Sequence, residues 1–518
     1  MSLLDTASLI VTPNGYKEGK LYSVIPSDGS GDMSVTRATT ATRVNSAGLV
    51  ELVPYNLLSW SQDFTNGWYA YLGSITATAN YGTAPDGTNT STRILFTSNN
   101  QIWAKAISGL TNLNGTFSVW IKGVAGQTIA ISYGGTDNVV TLQSGWNRYS
   151  VTAVGTIDFI FIDTFSSTAT DIEVWGGQVV EGSTAKDYQK TETRLNIPRL
   201  DYSNGTCPSL LVEPQRTNQY IKSNDFANWS NNNGTNTITP NYAISPDGIM
   251  NASRWVATGT GYRYNLYGLF TLGTTTVSIY AKRNNSGTQK FGFFLNGSGT
   301  VDYELNLTNE WQRFTYTFNL TNEYQGLSAE VGADVSIYGY QLEAGSYATS
   351  YIPTTSASVT RNADVISKTG ISSLIGQTEG TLFVEVYRPT SNSPFIFMLA
   401  NSTGSNAYLN SLYLYQVDTS QLTFDVFVSG ALQASIATSS SGLSVGRHKI
   451  AFAYKQNDFV LYVDGTQIGT DTSGNVPTLS AFEINGADIA SASNVETNAV
   501  ALWKTRLTNT QLAQLTTI

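Results

Sequence analysis

The sequence predicts an all-β chain: tandem β-sandwich or jelly-roll domains with a short C-terminal helix. Three observations predict it. Charged residues make up only 13% of the 518, aromatics reach 12% and there are 46 glycines. That suits half-buried pleated strands joined by tight turns, not a disordered chain, which would be poor in aromatics. Segments of five to eight residues alternate in hydrophobicity between Gly/Asn/Ser/Asp turns. Finally, much of the chain is written twice.

The duplication runs through six collinear blocks. Leu49-Val-Glu recurs as Leu211-Val-Glu, and Ser61-Gln-Asp-Phe64 with Trp68 recurs as Ser223-Asn-Asp-Phe226 with Trp229. A Pro-Asp-Gly turn leading to Arg93 returns before Arg254. Phe117–Lys122 answers 277–282, and Trp146 with Arg148 answers Trp311 with Arg313. The closing blocks share Asp171/Asp334, Gly176/Gly339, Gln178/Gln341, Tyr188/Tyr351 and a final Thr-Arg at 194 and 361. Offsets stay between 160 and 167 residues (Phe117 to Val277, Arg194 to Arg361). So long a period means duplicated domains rather than a solenoid.

This sets the expected organisation: an arm over 1–48, module one over 49–198, module two over 199–365 and a further sandwich over 366–518. Within the arm, 21–25 reads as a short strand and 27–32 (SDGSGD) as a flexible turn. It is too short for a core of its own. It is expected to dock on another protein or pair with its own copies, the alternative being a disordered tail. In the modules, strands are expected at 128–133, 158–162, 290–295 and 313–319, and a strand closes each module at 171 and 334 onward. The segments after them, such as 188–194 and 351–361, lack a period and read as domain junctions, packed against neighbouring subunits or not. In the last third, strands are expected at 381–387, 408–417, 422–429 and 448–454. Residues 459–469 form a hairpin around Asp464-Gly465. Thr508 with Gln511 forms a capping box, and Leu507 with Leu512 a hydrophobic staple, so a helix is expected over 509–516.

Three phrases carry resemblances. The unit opening NLLxWSQDFxxxW and closing on a Gln-bearing strand resembles jelly-roll carbohydrate-binding modules. SLLDTASLIVTPNGYKEGKLYSVIPSDGSGD and QLEAGSYATSYIPTT resemble segments of tailed-bacteriophage fibre and appendage proteins (head or tail fibres). The last third, with Gly446-Arg-His448, Leu461-Tyr-Val-Asp-Gly465 and Val500-Ala-Leu-Trp503, resembles concanavalin A-like/laminin G-like lectin sandwiches. These resemblances imply a virion-surface protein made in the bacterial cytoplasm, a homotrimer held to other virion proteins by its N-terminal arm and attached to host-surface or mucosal glycans. The rivals are a polysaccharide depolymerase and a purely structural decoration or adaptor protein.

Composition narrows the chemistry. A net charge of −9 argues against nucleic acid and anionic membranes as partners, and no apolar run approaches the ~18–20 residues that span a bilayer. The N-terminus lacks a basic lead and reads poorly as a signal peptide. Cys207 is the single cysteine and His448 the single histidine, which excludes an intrachain disulfide and zinc sites built from several His and Cys, and no Cys-His dyad is assigned. His448 is read as structural, and no catalytic residue is assigned. A glycosidase needs only two carboxylates, but Asp86, Asp247 and Asp464 sit in expected turns, while Asp171, Glu173 and Asp334 sit in closing strands. No cofactor is expected; calcium is left open, with no ligands named.

Sugar recognition needs exposed aromatic faces beside polar groups. The candidates are Trp103 and Lys105 in module one, and Tyr262, Tyr264 and Tyr267 at a similar distance after Arg254 in module two. The alternative, that Tyr262 and Tyr264 are core, stays open. Trp68 and Trp229 read as structural, and Arg93, Arg148, Arg254 and Arg313 as shared structural ion pairs.

Overall fold

The structure is a computed structural model and describes residues 3–165, 167–232, 236–264, 270–404, 406–417, 419–439, 442–484 and 493–518. It is all-β, antiparallel throughout its described ladders, with one short C-terminal α-helix. Two compact units divide the chain: Val53–Leu195, and Met1–Leu52 with Asn196–Ile518.

The first unit holds copy one of the duplicated module. Its sheet runs Thr136–Thr141, Thr128–Tyr133, Asn147–Asp163, Ile102–Lys122, Asp171–Glu181, Thr92–Phe96, Ile75–Thr78, and Trp68–Leu72 pairs with the start of Ile102–Lys122. Two strands are unusually long, at 21 and 17 residues. Register shifts after Ala106 and Leu110 divide that pair. Before the shifts, Ile102–Ala106 pairs with 159–163; after them, 113–121 pairs with 147–155 on one side and 115–122 with 173–181 on the other. One pair of strands therefore serves two halves of a sandwich. Inward positions alternate as the period of a strand requires, with Phe117, Val119, Ile121, Ile160 and Ile162 fully buried.

Copy two, in the second unit, has the same strand order in two separate sheets. One runs Ser230–Asn232, Gly261–Tyr264, Gly326–Ala329, Phe291–Phe294, Tyr303–Glu304. The other runs Asn236–Ile244, Met250–Ala257, Asp334–Ala344, Gly273–Arg283, Gln312–Leu320. Trp255, Phe291, Phe293, Val335, Ile337 and Tyr340 fill the core between them. Both closing strands carry a bulge at the repeated glycine: Gly176 and Gly339 have φ +64° and +66°, and the ladders slip there.

The rest of the second unit is a sandwich of an eight-stranded and a nine-stranded sheet around one large core. The Asp458–Val463 and Thr466–Asp471 hairpin turns on Asp464-Gly465, both at positive φ. The helix Asn509–Thr516 carries its capping box and buries Leu512 against Ala451, Val460 and Tyr462.

Residues 1–48, expected as an arm standing apart, are instead built into this sandwich. Leu9–Val11 pairs with Val495–Trp503, and Met33–Thr36 pairs with Val365–Thr369. The reason is packing: Leu9, Val11, Leu21, Met33 and Val35 alternate in sequence and all sit in the common core. The start of the expected second module joins too, Ser209–Val212 pairing with Val495–Trp503.

A buried ionic knot ties these pieces together. Arg37 donates to Asp364 (2.6 Å), Arg199 to Glu213 (2.6 Å) and Asp364, and Arg361 to Glu213 (2.6 Å). The Ser350 hydroxyl sits among Glu213, Arg199 and Arg361. Burial pushes the Glu213 carboxyl up, but Arg361 and Arg199 outweigh it and hold it down at about 2. The junction arginines are thus sealed within their own chain.

Candidate functional site

Separating scaffold from site starts with what the two copies share. In copy one, Asn56 Nδ2 donates to the carbonyls of Gly177 (3.2 Å) and Gln189 (2.8 Å), and its Oδ1 accepts from the amides of Leu58 and Val179. In copy two, Asn218 does the same with Tyr340, Ile352, Tyr220 and Leu342. Ser61 meets Tyr188 at 2.8 Å as Ser223 meets Tyr351 at 2.7 Å. Gln178 and Gln341 each bond the chain that leaves the closing strand. Arg93 and Arg254 grip Asp171 and Asp334 through two nitrogens each. Arg148 and Arg313, expected as ion pairs, instead donate to Ser118 and Ser278 and lie over the rings of Trp120 and Tyr280. Trp68 and Trp229 are core residues. All of this is fold.

The sequence-derived site residues then separate. Trp103 and Lys105 point inward, at 7% and 5% exposure. Trp103 Nε1 donates to the Phe64 carbonyl (3.0 Å). Lys105 Nζ donates to the carbonyls of Ser59 (2.7 Å) and Asn66 (3.0 Å). Burial lowers the Lys105 ammonium to about 8, against the pull of Asp63. These two are corrected to scaffold. In copy two the inward cation is Arg263, bonded to the carbonyls of Trp229 and Asn236. Tyr262 and Tyr264 flank it on the opposite face and are half-buried, not core. Tyr267 lies outside the described residues.

Around Tyr262 and Tyr264 the outer face of copy two is an aromatic platform. Tyr262 stacks on Phe294 at 4.4 Å, and Tyr264 lies 5.9 Å from Tyr262 and 5.6 Å from the exposed ring of Tyr324. The amides of Asn322 and Asn296 brace its rim, and the loop at Gly299 comes close to the Tyr262 ring.

Copy one carries a platform on the equivalent outer face, made from residues the sequence reading missed. Tyr69 and Tyr71 are exposed, and Tyr71 lies 6.3 Å from Phe159 and 6.0 Å from Phe161, which are themselves stacked at 5.9 Å. Opposite Phe161 in register is Ser132, whose hydroxyl lies 2.5 Å from Asp137 and 3.0 Å from Asp163. Burial, with a smaller push from Asp137, raises the Asp163 carboxyl to about 6.

No protein-family model matches the sequence, and no curated protein does. Similar solved structures include the sialidase carbohydrate-binding module CBM40 of Ruminococcus gnavus IT-sialidase bound to α2,3-sialyllactose, at 11% identity over 28% of this chain and 84% of that one, TM-score 0.24. The NanB sialidase of Streptococcus pneumoniae is similar at 14% identity over 29% of this chain and 26% of its own, TM-score 0.24. The native heptameric SAP-like pentraxin of Limulus polyphemus is similar at 14% identity over 26% and 69%, TM-score 0.21.

Elsewhere, His448 and the acids named from the sequence have partners. His448 is buried, with Nδ1 2.7 Å from Asp464 Oδ2 and Nε2 3.1 Å from the Ser444 carbonyl and 3.3 Å from its hydroxyl. The outline is Ser-His-Asp, with the Ser444 carbonyl and hydroxyl both at Nε2 and the Asp464 carboxylate at Nδ1. Asp464 also takes the Lys449 amide and holds the hairpin. Among the acids named from the sequence, Asp86 and Asp247 bond within their own turns, and Asp171, Glu173 and Asp334 form ion pairs. Among the described residues no group of three or more His, Cys, Asp or Glu is placed to hold a metal ion.

Proposed function

We propose that this chain is a virion appendage protein of a tailed bacteriophage that attaches, without catalysis, to host-surface or mucosal glycans. The observation that carries the glycan reading is the pair of aromatic platforms on equivalent outer faces of the two modules, built from non-equivalent residues. Tyr69, Tyr71, Phe159 and Phe161 make one, Tyr262, Tyr264, Phe294 and Tyr324 the other. Tyr262 and Tyr264 are left half-buried over the buried Phe294, and Tyr71 and Tyr324 are exposed, so these tyrosines do not complete a core. They do match the apolar face of a pyranose, with nearby amides and carboxylates to take its hydroxyls. The virion assignment rests on the phage-fibre resemblance of the first 32 residues and of 341–355. With residues 1–48 held in the sandwich, a virion contact there would use their outer surface. Weak single sites fit a homotrimer, in which linked copies raise avidity by orders of magnitude.

A glycan array with full-length protein tests this. Tyr262→Ala/Tyr264→Ala and Tyr71→Ala are expected to lose array signal while the melting temperature stays within about 2 °C, since half-exposed rings contribute little to the core. Absence of any glycan signal from the parent protein would favour the purely structural rival. Release of reducing sugar from host capsule would favour the depolymerase. Locating the protein in a virion reconstruction tests the appendage and trimer assignments.

A further inference from the structure

The loop that opens copy one holds an indole where neither backbone nor burial calls for one. Trp60 has φ +54°, in the left-handed region that a bulky side chain adopts at a cost, and its side chain is 37% exposed. Copy two has the same turn. Lys222 sits at φ +53° and donates its N–H to the Thr355 carbonyl, as Trp60 donates to Glu192. The amides of Asp63 and Asp225 return to the carbonyls of Trp60 and Lys222. The left-handed turn is therefore scaffold common to both copies; the indole is not. At that position Trp adds strain and exposes apolar surface, and the fold gains nothing visible in exchange.

Beside the indole lies a cavity of about 160 Å³, lined by Gln62, Asp63, Asn80, Lys190 and Glu192 as well as Trp60. Lys190 and Glu192 face each other at 3.4 Å and offset each other, and the Asp63 carboxylate accepts from the Thr65 amide and hydroxyl, so the lining offers a mixed set of donors and acceptors and no excess of positive charge. One flat apolar wall with amides and a neutralised ion pair around it suits a neutral, hydroxyl-rich ring. The wall is also rigid. Thr191 and Glu192 are fastened to the loop by the Ser61 and Trp60 amides at 2.9 and 3.0 Å, and by the Thr191 hydroxyl on the Leu58 carbonyl. We propose that this cavity is a separate carbohydrate subsite of copy one, which seats one neutral pyranose ring with its C–H face on Trp60 and its hydroxyls toward Gln62, Asn80 and the Lys190–Glu192 pair. It rests on the glycan reading above and adds a site that copy two, with Lys222, does not have.

The test uses full-length protein, saturation-transfer NMR with methyl β-D-galactopyranoside and methyl β-D-glucopyranoside, and the same glycan array. Trp60→Asn is expected to weaken binding of a pyranoside about tenfold or more, the order expected for losing a stacked ring. Its melting temperature should hold or rise, because Asn tolerates positive φ. Tyr262→Ala/Tyr264→Ala should keep the pyranoside signal that Trp60→Asn loses, and Trp60→Phe should keep part of it. Trp60→Asn with the parent profile, or with a lowered melting temperature, would overturn the subsite and leave the platforms standing. A parent protein that binds neither pyranoside nor array glycan would overturn the subsite and the glycan reading together.

Discussion

Copy one and copy two share a scaffold nearly bond for bond and differ in what they show to solvent. The four-bond clasp of Asn56 has its twin in Asn218, and the Ser61–Tyr188 contact its twin in Ser223–Tyr351. Yet Tyr69, Tyr71, Phe159 and Phe161 on one platform correspond to no aromatic pattern on the other, and the exposed Trp60 corresponds in position to Lys222. The strands differ as well: Ile102–Lys122 and Asn147–Asp163 each run through both halves of copy one, whereas copy two uses four separate strands there. Polar groups buried in the interior are costly to change one at a time, because each leaves a partner unsatisfied. Outward rings carry no such constraint. What is repeated therefore marks the fold, and what diverges on the outer face is where the proposed recognition lies.

The exits of the two copies should break this symmetry most sharply. Both end in Thr-Arg, but Arg194 makes one side-chain bond to the Asn56 carbonyl (3.0 Å), while Arg361 joins the buried knot with Glu213, Arg199 and Asp364. Removing one partner from a buried ionic cluster typically costs about 3–5 kcal/mol. Arg361→Met should lower the stability of the second unit by that order, and Arg194→Met should lower that of the first by about 1 kcal/mol. Urea denaturation with pulse proteolysis, read peptide by peptide on the full chain, measures both. Equal losses would mean that the knot contributes no more than a single carbonyl bond.

The clasp should instead behave alike in both copies. Asn56→Ala and Asn218→Ala each strand two carbonyls and two amides in the interior, and each should cost ~2–3 kcal/mol in its own unit by the same measurement. A large loss in one copy with none in the other would show that the matching geometry hides different energetics.

How far this was legible in the sequence depends on the range of the interaction. The all-β class, the duplication, the Asp464-Gly465 hairpin and the capped helix rest on local periodicity and turn chemistry, and they stand in the structure. Faces were harder. Trp103 and Lys105 were matched to Tyr262 and Tyr264 by distance along the chain, but Lys105 shares its inward role with Arg263, and in a strand a slip of one residue exchanges the two faces. The copy-one platform left a signal that was overlooked: 158–162 reads Asp-Phe-Ile-Phe-Ile, apolar at every position after the acid, so one of its faces had to carry rings outward. The placing of residues 1–48 could not be read locally, because Leu9 pairs with Leu502 at the far end of the chain. Nor could the knot, whose five charges come from four separated places in the chain, at 37, 199, 213 and 361–364.

Acid should finally separate the two units by sign. Glu213 is held at about 2 against an ordinary 4.5, so its ionised form binds fewer protons folded than unfolded. The stability it contributes is complete above pH ~4.5 and is lost as pH falls toward 2. Asp163 in copy one is raised to about 6 from 3.8, chiefly by burial. For a carboxyl shifted upward the sign reverses: its contribution is complete below pH ~3.8 and is lost as pH rises through 6. Lowering the pH from 7 to 4.5 should thus raise the urea midpoint of copy one, with no loss from Glu213 in the second unit. Further acid should then bring the second unit down. Asp163→Asn should flatten the rise in copy one, because an amide cannot gain the proton. A copy-one midpoint that does not move between pH 7 and 4.5 would mean that Asp163 is already solvated as an anion, and that the polar edge of its platform is wetter than the 4% exposure of that side chain indicates.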